Sequence, residues 1–147
     1  MTQEQATRPW HLWFVGILSI LWNSIGCLDF TMVITRNADY LEAAGFTAEQ
    51  MDFFFSYPAG ANVLWAVAVW WAWFGGALLL ARKSLAVPVY LTGLVAYIAA
   101  MIRQYGLTEF SELFPEAHYK IMSAVIFVLA IAQLCYAIRM RDKGVLS

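Results

Sequence analysis

Four long apolar stretches, separated by short polar segments, divide the chain. They cover about residues 10–35, 59–81, 84–104 and 118–138. A stretch of about 20 mostly apolar residues is enough for a helix to cross a bilayer. The stretches lack the strict polar–apolar alternation that the strands of a membrane barrel require. The pattern therefore predicts an all-α integral membrane four-helix bundle, and we expect residues 1–147 to form a single membrane domain.

The connection between the first two stretches predicts a short helix over residues 47–57. Thr47 is suited to cap the helix, Gln50 can complete a capping box, and Phe46 precedes them as a hydrophobic staple. Three consecutive phenylalanines at 53–55 cannot all face water. We expect this helix to lie in the outer membrane interface, with part of its aromatic face towards lipid.

Composition agrees with a membrane location. The chain is 62% hydrophobic and 13% charged, with a mean hydropathy of +0.64, whereas soluble domains carry about 25% charged residues. These values exclude a soluble globular enzyme. Nine Lys and Arg stand against ten Asp and Glu, so no basic field exists to attract a phosphate backbone. We expect the lipid bilayer as a partner and no nucleic acid.

The basic residues that flank the stretches are distributed unequally. Six lie on the side of the chain termini and three on the other side. The six are Arg8, Arg82, Lys83, Arg139, Arg141 and Lys143, and the three are Arg36, Arg103 and Lys120. Because Lys and Arg in short loops favour the cytoplasm, the bias predicts that both termini are cytoplasmic. The first apolar run is too long for a cleavable signal, so we expect it to be retained.

The cysteines and histidines carry no recognisable chemistry. Cys27 and Cys135 lie at depths that differ by roughly 15–20 Å at the helical rise, which is too far for a disulfide. We expect buried, inert thiols. His11 and His118 lie at opposite ends of the predicted spans and cannot share a metal. The sequence predicts neither a metal site nor a cofactor.

Small and polar residues mark the expected contact faces, because helices pack in lipid through small side chains. In the third span such a face contains Pro88, Thr92, Ala96, Ala99 and Arg103. We expect these faces to form the contacts between helices of the bundle. The alternative is that some of them line a cavity. Asn23 lies near the middle of the first span, where its amide needs a hydrogen bond, most simply from another helix. Gln133 in the fourth span has the same requirement. The alternative is that Asn23 and Gln133 contact a substrate.

Three tryptophans, Trp70, Trp71 and Trp73, fall near the middle of the second span. Tryptophan usually prefers the membrane interfaces. Lipid-facing bulk or subunit packing would explain this group. The alternative is an aromatic wall for an apolar ligand such as a quinone, a lipid or an isoprenoid.

Asp29 and Arg103 are the most informative charges. They lie about 11–13 Å outward of the midplane on different spans, at 1.5 Å per residue, and intramembrane charges suggest function. We expect them to be close, directly or through one water or side chain, with Arg36 or Lys120 as alternative partners of Asp29. They form either a structural ion pair or a vestibule for a small solute or lipid head group. The candidate binding residues are Trp22, Asn23, Gly26, Asp29, Arg36, Tyr57, Asn62, Arg103, Tyr119 and Lys120.

One motif has a wider resemblance. The segment Trp22-Asn23-x-x-Gly26-x-x-Asp29, followed by Arg36, resembles a family of small, uncharacterised four-span proteins of the bacterial inner membrane. These proteins often carry an automatic sugar-transporter label. The resemblance implies a bacterial inner-membrane location and gives weight to the four residues of the motif.

Three functions fit the sequence. The first is a non-enzymatic accessory protein or subunit of a larger membrane complex. The second is a small transporter or carrier, which would act as a homo-oligomer because one four-helix bundle is filled by its own side chains. The third is a lipid- or quinone-directed enzyme with Asp29 or His118 as its base. We favour the first function and therefore expect no catalytic residue.

The charge bias leads to a topology that can be tested. Single cysteines at Ala44 and Ala117, in a background without Cys27 and Cys135, should react with an impermeant maleimide on intact cells. A cysteine at Lys83 should not react, since the bias places it in the cytoplasm. The opposite labelling pattern would show that the orientation is wrong.

Overall fold

The computed structural model describes residues 9–147, and seven helices occupy that range. Four long helices are apolar enough to cross a membrane: α1 (Trp10–Ile34), α4 (Ala59–Leu80), α5 (Ala86–Gly106) and α7 (Ala117–Asp142). Three short helices lie between them: α2 (Ala38–Ala43), α3 (Ala48–Phe55) and α6 (Phe110–Leu113). The all-α membrane four-helix bundle is confirmed, and the predicted spans coincide with the long helices apart from their ends.

The long helices are arranged in the order α1, α4, α5, α7. Helix α4 packs between α1 and α5, and α5 packs on α7, whereas α1 and α7 do not pack closely together. Leu12 near the start of α1 shares an apolar cluster with Ala137 and Met140 near the end of α7. We call this the terminal end of the bundle and the opposite end, where α2, α3 and α6 lie, the cap end. The membrane face that each end occupies stays a prediction. Arg8, one of the basic residues on which that prediction is based, lies outside the described residues.

The last residues close the terminal end. The Ser147 amide donates to the Arg82 carbonyl (2.8 Å), and the Ser84 amide donates to the Ser147 carbonyl (3.0 Å). Arg82 adopts a positive φ of 58° in the α4–α5 turn, and its Nε donates to the Val145 carbonyl (2.9 Å). The C-terminal segment is therefore hydrogen-bonded to the α4–α5 turn.

Adjacent glycines let α4 approach both of its neighbours. A Cβ atom at Gly75 would lie 2.6 Å from the Tyr90 ring on α5, and one at Gly76 would lie 3.0 Å from the Ile20 side chain on α1. Tyr90 is only 3% exposed. Because lipid supplies no hydrophobic force between helices, such close approach is a main source of their association.

The buried face of α5 differs from the predicted stripe. Pro88 and Thr92 are exposed, whereas Tyr90 and Gly93 are buried. The reason is that Tyr90 packs over Gly75 and Gly93 packs against Ala68 and Ala72, so the face of α5 that carries Tyr90 and Gly93 turns towards α4. Ala96 is the member of the predicted stripe that is buried.

The two thiols also differ from expectation. Cys27 and Cys135 are both free, as predicted, but only Cys27 is buried. Cys135 is exposed on α7 because α7 packs closely against α5 alone.

The capping box of α3 is confirmed, and part of its aromatic face packs against the protein itself; its contact with lipid stays a prediction. The Gln50 backbone N–H donates to Thr47 Oγ1 (3.3 Å), and the Thr47 backbone N–H donates to Gln50 Oε1 (3.1 Å). Phe53 and Phe54 pack against Phe114 of the protein itself, with ring centres 5.9 and 5.4 Å away. Two of the three consecutive phenylalanines therefore pack against Phe114, which lies about 60 residues further along the chain.

Substituting Gly75 by Ala should destabilise the protein. The added methyl group must displace the Tyr90 ring, and such overpacking typically costs about 1–3 kcal/mol. Gly60→Ala is the matched control on the same helix, because a Cβ there meets nothing within 4 Å and alanine favours a helix. Thermal unfolding in detergent should show a lower Tm for Gly75→Ala only. Equal Tm values for both variants would contradict the close approach.

Candidate functional site: a cavity in the cap half of the bundle

A cavity of about 450 Å³ lies between the four long helices, and apolar side chains form most of its lining. Its volume falls within the roughly 300–1,000 Å³ typical of small-molecule sites. Leu64, Ala68 and Val69 of α4 and Leu94 of α5 contribute to the apolar walls, as does Ile126 of α7. Polar groups lie at both ends of the cavity.

A hydrogen-bonded layer, which we call the polar layer, forms the floor. Ser19 Oγ and the Tyr90 hydroxyl are 2.8 Å apart. The Asn23 amide donates to the Ser19 carbonyl (2.8 Å), to Gln133 Oε1 (3.3 Å) and to the Ala72 carbonyl (3.4 Å). These bonds join α1, α4, α5 and α7. The expected hydrogen bonds of Asn23 and Gln133 to other helices are confirmed, and the two residues bond to each other.

Aromatic side chains, which we call the aromatic roof, cover the cap end of the cavity. Phe46, Phe54 and Phe110 line the cavity, and Phe110 stacks on Phe114 with ring centres 4.4 Å apart. Gln50 Nε2 donates to the Leu113 carbonyl (2.9 Å), which links α3 to α6. The short helices thus form one continuous cover over the bundle.

Asp29 faces the cavity from α1 and is held by a tyrosine. Its carboxylate accepts a hydrogen bond from the Tyr40 hydroxyl at 2.6 Å, and Tyr40 does not line the cavity. The bond to this carboxylate raises the pKa of Tyr40 to about 12. Tyr40 therefore keeps its proton and remains a donor at neutral pH.

Arg103 faces the same cavity from α5 and is held by a different aromatic residue. Its guanidinium carbon lies 4.8 Å from the centre of the Tyr57 ring, a cation–π contact. Within residues 9–147 Arg103 makes no ion pair with Asp29. The expected direct pair is not formed, because each charge has its own aromatic partner. A water-bridged contact stays a prediction.

The alternative partners of Asp29 do not reach it. The Arg36 guanidinium donates to the Phe55 carbonyl (3.3 Å) and lies 5.7 Å from the Phe55 ring centre. Lys120 is exposed, and over residues 9–147 it forms no ion pair with Asp29. Both cations lie outside the cavity lining.

The Tyr57 hydroxyl is the one buried side-chain polar atom without a hydrogen-bond partner in the described part of the chain. Burial raises the pKa of Tyr57 to about 12, so the hydroxyl stays protonated. A buried hydroxyl left without a partner costs about 1–3 kcal/mol. Tyr57 lines the cavity beside Arg103, which places an unused donor next to a cation.

The side of the cavity between α1 and α7 is open. Ile25 of α1 and Met122 of α7 both line the cavity and are 57% and 51% exposed. The described hydrogen bonds between these helices are Asn23 to Gln133, at the floor, and His11 to Tyr136, nearer the terminal end. The cavity therefore opens sideways, towards the lipid that surrounds the bundle.

Seven of the ten predicted site residues line this cavity. They are Trp22, Asn23, Gly26, Asp29, Tyr57, Arg103 and Tyr119, whereas Arg36, Asn62 and Lys120 do not. Asn62 instead donates to the Tyr57 carbonyl (3.3 Å). That the site binds a ligand stays a prediction.

Sequence reasoning missed the roof and Tyr90, which also lines the cavity. Tyr90 could have been found, because it is a polar hydroxyl within an apolar span. The roof could not, because its aromatic residues lie far apart along the chain.

The three tryptophans near the middle of the second span do not form the cavity wall. Trp70, Trp71 and Trp73 are all absent from the lining, and Trp73 Nε1 donates to Ser24 Oγ (3.0 Å). The indoles that do line the cavity are Trp22 and Trp65. The alternative of an aromatic ligand wall built by these three residues is therefore wrong for this cavity, and lipid-facing bulk or subunit packing stays the prediction for them.

Comparison of the chain with protein-family models, with curated proteins and with solved structures finds no match. Within residues 9–147, no group of three or more His, Cys, Asp or Glu residues could hold a metal ion.

The polar layer should show energetic coupling between Asn23 and Gln133. Alanine at either position removes their shared hydrogen bond, so the double substitution should cost less than the sum of the two. Interhelical bonds of this kind in membranes contribute about 0.6 kcal/mol on average and up to about 2. A double-mutant cycle of unfolding free energies measures the coupling. Asn62→Ala combined with Gln133→Ala is the control and should be additive; additivity in both pairs would contradict the layer.

Proposed function

We propose that the protein is a non-enzymatic membrane protein that binds one small amphipathic molecule in the cap-half cavity. The observation that carries this proposal is the combination of apolar walls, polar ends and an opening towards lipid. A hydrocarbon chain matches the walls, and a polar group matches the surroundings of Asp29, Arg103 and Tyr57. Ligand sites commonly combine such walls with a few convergent polar groups.

The closed terminal end favours binding over transport. Below the polar layer, Leu12, Leu79 and Ala137 are fully or almost fully buried in one apolar cluster. A solute passing through a single bundle would have to break both the layer and this cluster. Access from the side requires neither change.

The scarcity of acid–base groups in the cavity disfavours catalysis. Asp29 is the only carboxylate among the described residues that line the cavity, and it already accepts the Tyr40 hydrogen bond. His118 is exposed outside the lining. An accessory or ligand-presenting role, alone, with a second copy or within a larger complex, needs no such group.

The expected orientation completes the proposal. The charge bias and the family resemblance support a bacterial inner membrane with cytoplasmic termini. In that orientation the cap end lies on the outer side, and the cavity opens to the outer leaflet.

Filling the cavity should abolish binding. Ala130 lines the cavity, whereas Ala132 on the same helix is exposed outside it, so Ala130→Phe and Ala132→Phe form a matched pair. Native mass spectrometry of protein released from nanodiscs, with oleyl alcohol as the probe, should show a 1:1 adduct. The adduct should be lost in Ala130→Phe and kept in Ala132→Phe. No adduct in the unsubstituted protein, or an equal adduct in both variants, would refute the proposal.

A further inference from the structure

We propose, on the basis of the proposed function, that the ligand is an anionic amphiphile with a carboxylate or phosphate head group. Its head group is bound by the Arg103 guanidinium and the Tyr57 hydroxyl. Its hydrocarbon chain runs along the apolar walls towards the polar layer.

Arg103 provides the cation for this head group. It is half-buried at the cap end of α5, and over residues 9–147 no carboxylate pairs with it. Its described contacts are with Tyr57, and the guanidinium lies over the face of the ring. Burial raises the pKa of the Tyr57 hydroxyl and the guanidinium opposes that shift, but a neutral tyrosine supplies no counter-charge. A guanidinium carries five N–H donors in a planar fork that suits a carboxylate or a phosphate. An anionic head group would supply the missing counter-charge.

Tyr57 provides a second donor at the same place. Its hydroxyl is buried without a hydrogen-bond partner, and its ring is in contact with the guanidinium. Hydrogen bonds to charged acceptors are about twice as strong as those to neutral ones. An anionic oxygen near Arg103 would therefore satisfy both groups at once.

Asp29 distinguishes an anionic from a zwitterionic head group. A zwitterion would place its cation against Asp29, whose carboxylate keeps its negative charge while it accepts the Tyr40 hydrogen bond; the oleylamine probe below tests for that case. The charge of Asp29 repels an anion from the α1 side. The head group is thereby directed to the α5 side, where Arg103 lies.

The cavity has length for a hydrocarbon chain. Tyr119 near its cap end and Gln133 at its floor both line it from α7. They are 14 residues apart, which corresponds to about 20 Å along the helix. The opening between Ile25 and Met122 gives a lipid-dissolved chain a route to these walls.

The test compares probes that share one chain and differ in the head group. Oleic acid, oleyl phosphate, oleyl alcohol and oleylamine compete for the protein in nanodiscs of zwitterionic lipid, and native mass spectrometry measures the 1:1 adducts. The two anionic probes should bind about tenfold more tightly than the alcohol, as expected for a charged hydrogen-bonded contact. The order between carboxylate and phosphate tells which head group is preferred.

Four variants assign the selectivity to residues. Arg103→Gln should reduce the affinity for both anionic probes to that for the alcohol, and Arg103→Lys should recover part of the loss. Tyr57→Phe should weaken anion binding severalfold. Lys120→Gln is the matched control, because Lys120 is a cation on α7 near the cap end that does not line the cavity, and it should change nothing. Unchanged alcohol binding by Arg103→Gln shows that this variant is folded.

The outcomes separate this inference from the proposed function. Equal affinity for all head groups, with no effect of Arg103→Gln, overturns the anionic ligand and leaves the binding function standing. A preference for oleylamine that Asp29→Asn abolishes also overturns it, in favour of a cationic or zwitterionic ligand. The absence of a 1:1 adduct with every probe refutes the proposed function itself.

Discussion

The hydrogen bond between Ser19 and Tyr90 is the contact on which the rest of the bundle depends. It joins α1 to α5 across α4, and it can form only because Gly75 leaves room for the tyrosine ring. In a bilayer, polar groups within helices must find partners in the protein. This one bond therefore fixes the relative positions of three helices, and the amide of Asn23 extends the connection to the fourth.

The same constraint explains why a cavity exists at all. The polar layer draws the helices together at mid-depth, whereas the cap ends are held apart by large aromatic groups. Phe54 and Phe110 occupy the space that a fully closed bundle would eliminate. Charged groups at this level are stabilised by tyrosines rather than by each other, since Tyr40 holds Asp29 and Tyr57 holds Arg103. The two opposite charges thus remain available on one surface.

Local patterns in the sequence were sufficient for the helices but not for their neighbours. The apolar runs and the Thr47–Gln50 capping box depend on adjacent residues, and they could be predicted. Most of the seven cavity residues were found because polar side chains in a span must face inward. The aromatic partners that Asp29 and Arg103 take in place of a direct ion pair were not predictable, because a matched depth says nothing about competing partners. The fit of Tyr90 over Gly75 and the roof depend on residues far apart along the chain.

The loose attachment of α7 has a consequence for biosynthesis. Membrane chains are made from the N-terminus, so α1, α4 and α5 can assemble with the Ser19–Tyr90 bond in place before α7 has been synthesised. Helix α7 then docks on a preformed three-helix unit, mainly through α5. Docking of α7 creates the cavity, which means that a molecule already lying in the groove between α1 and α5 is retained between the helices when α7 arrives.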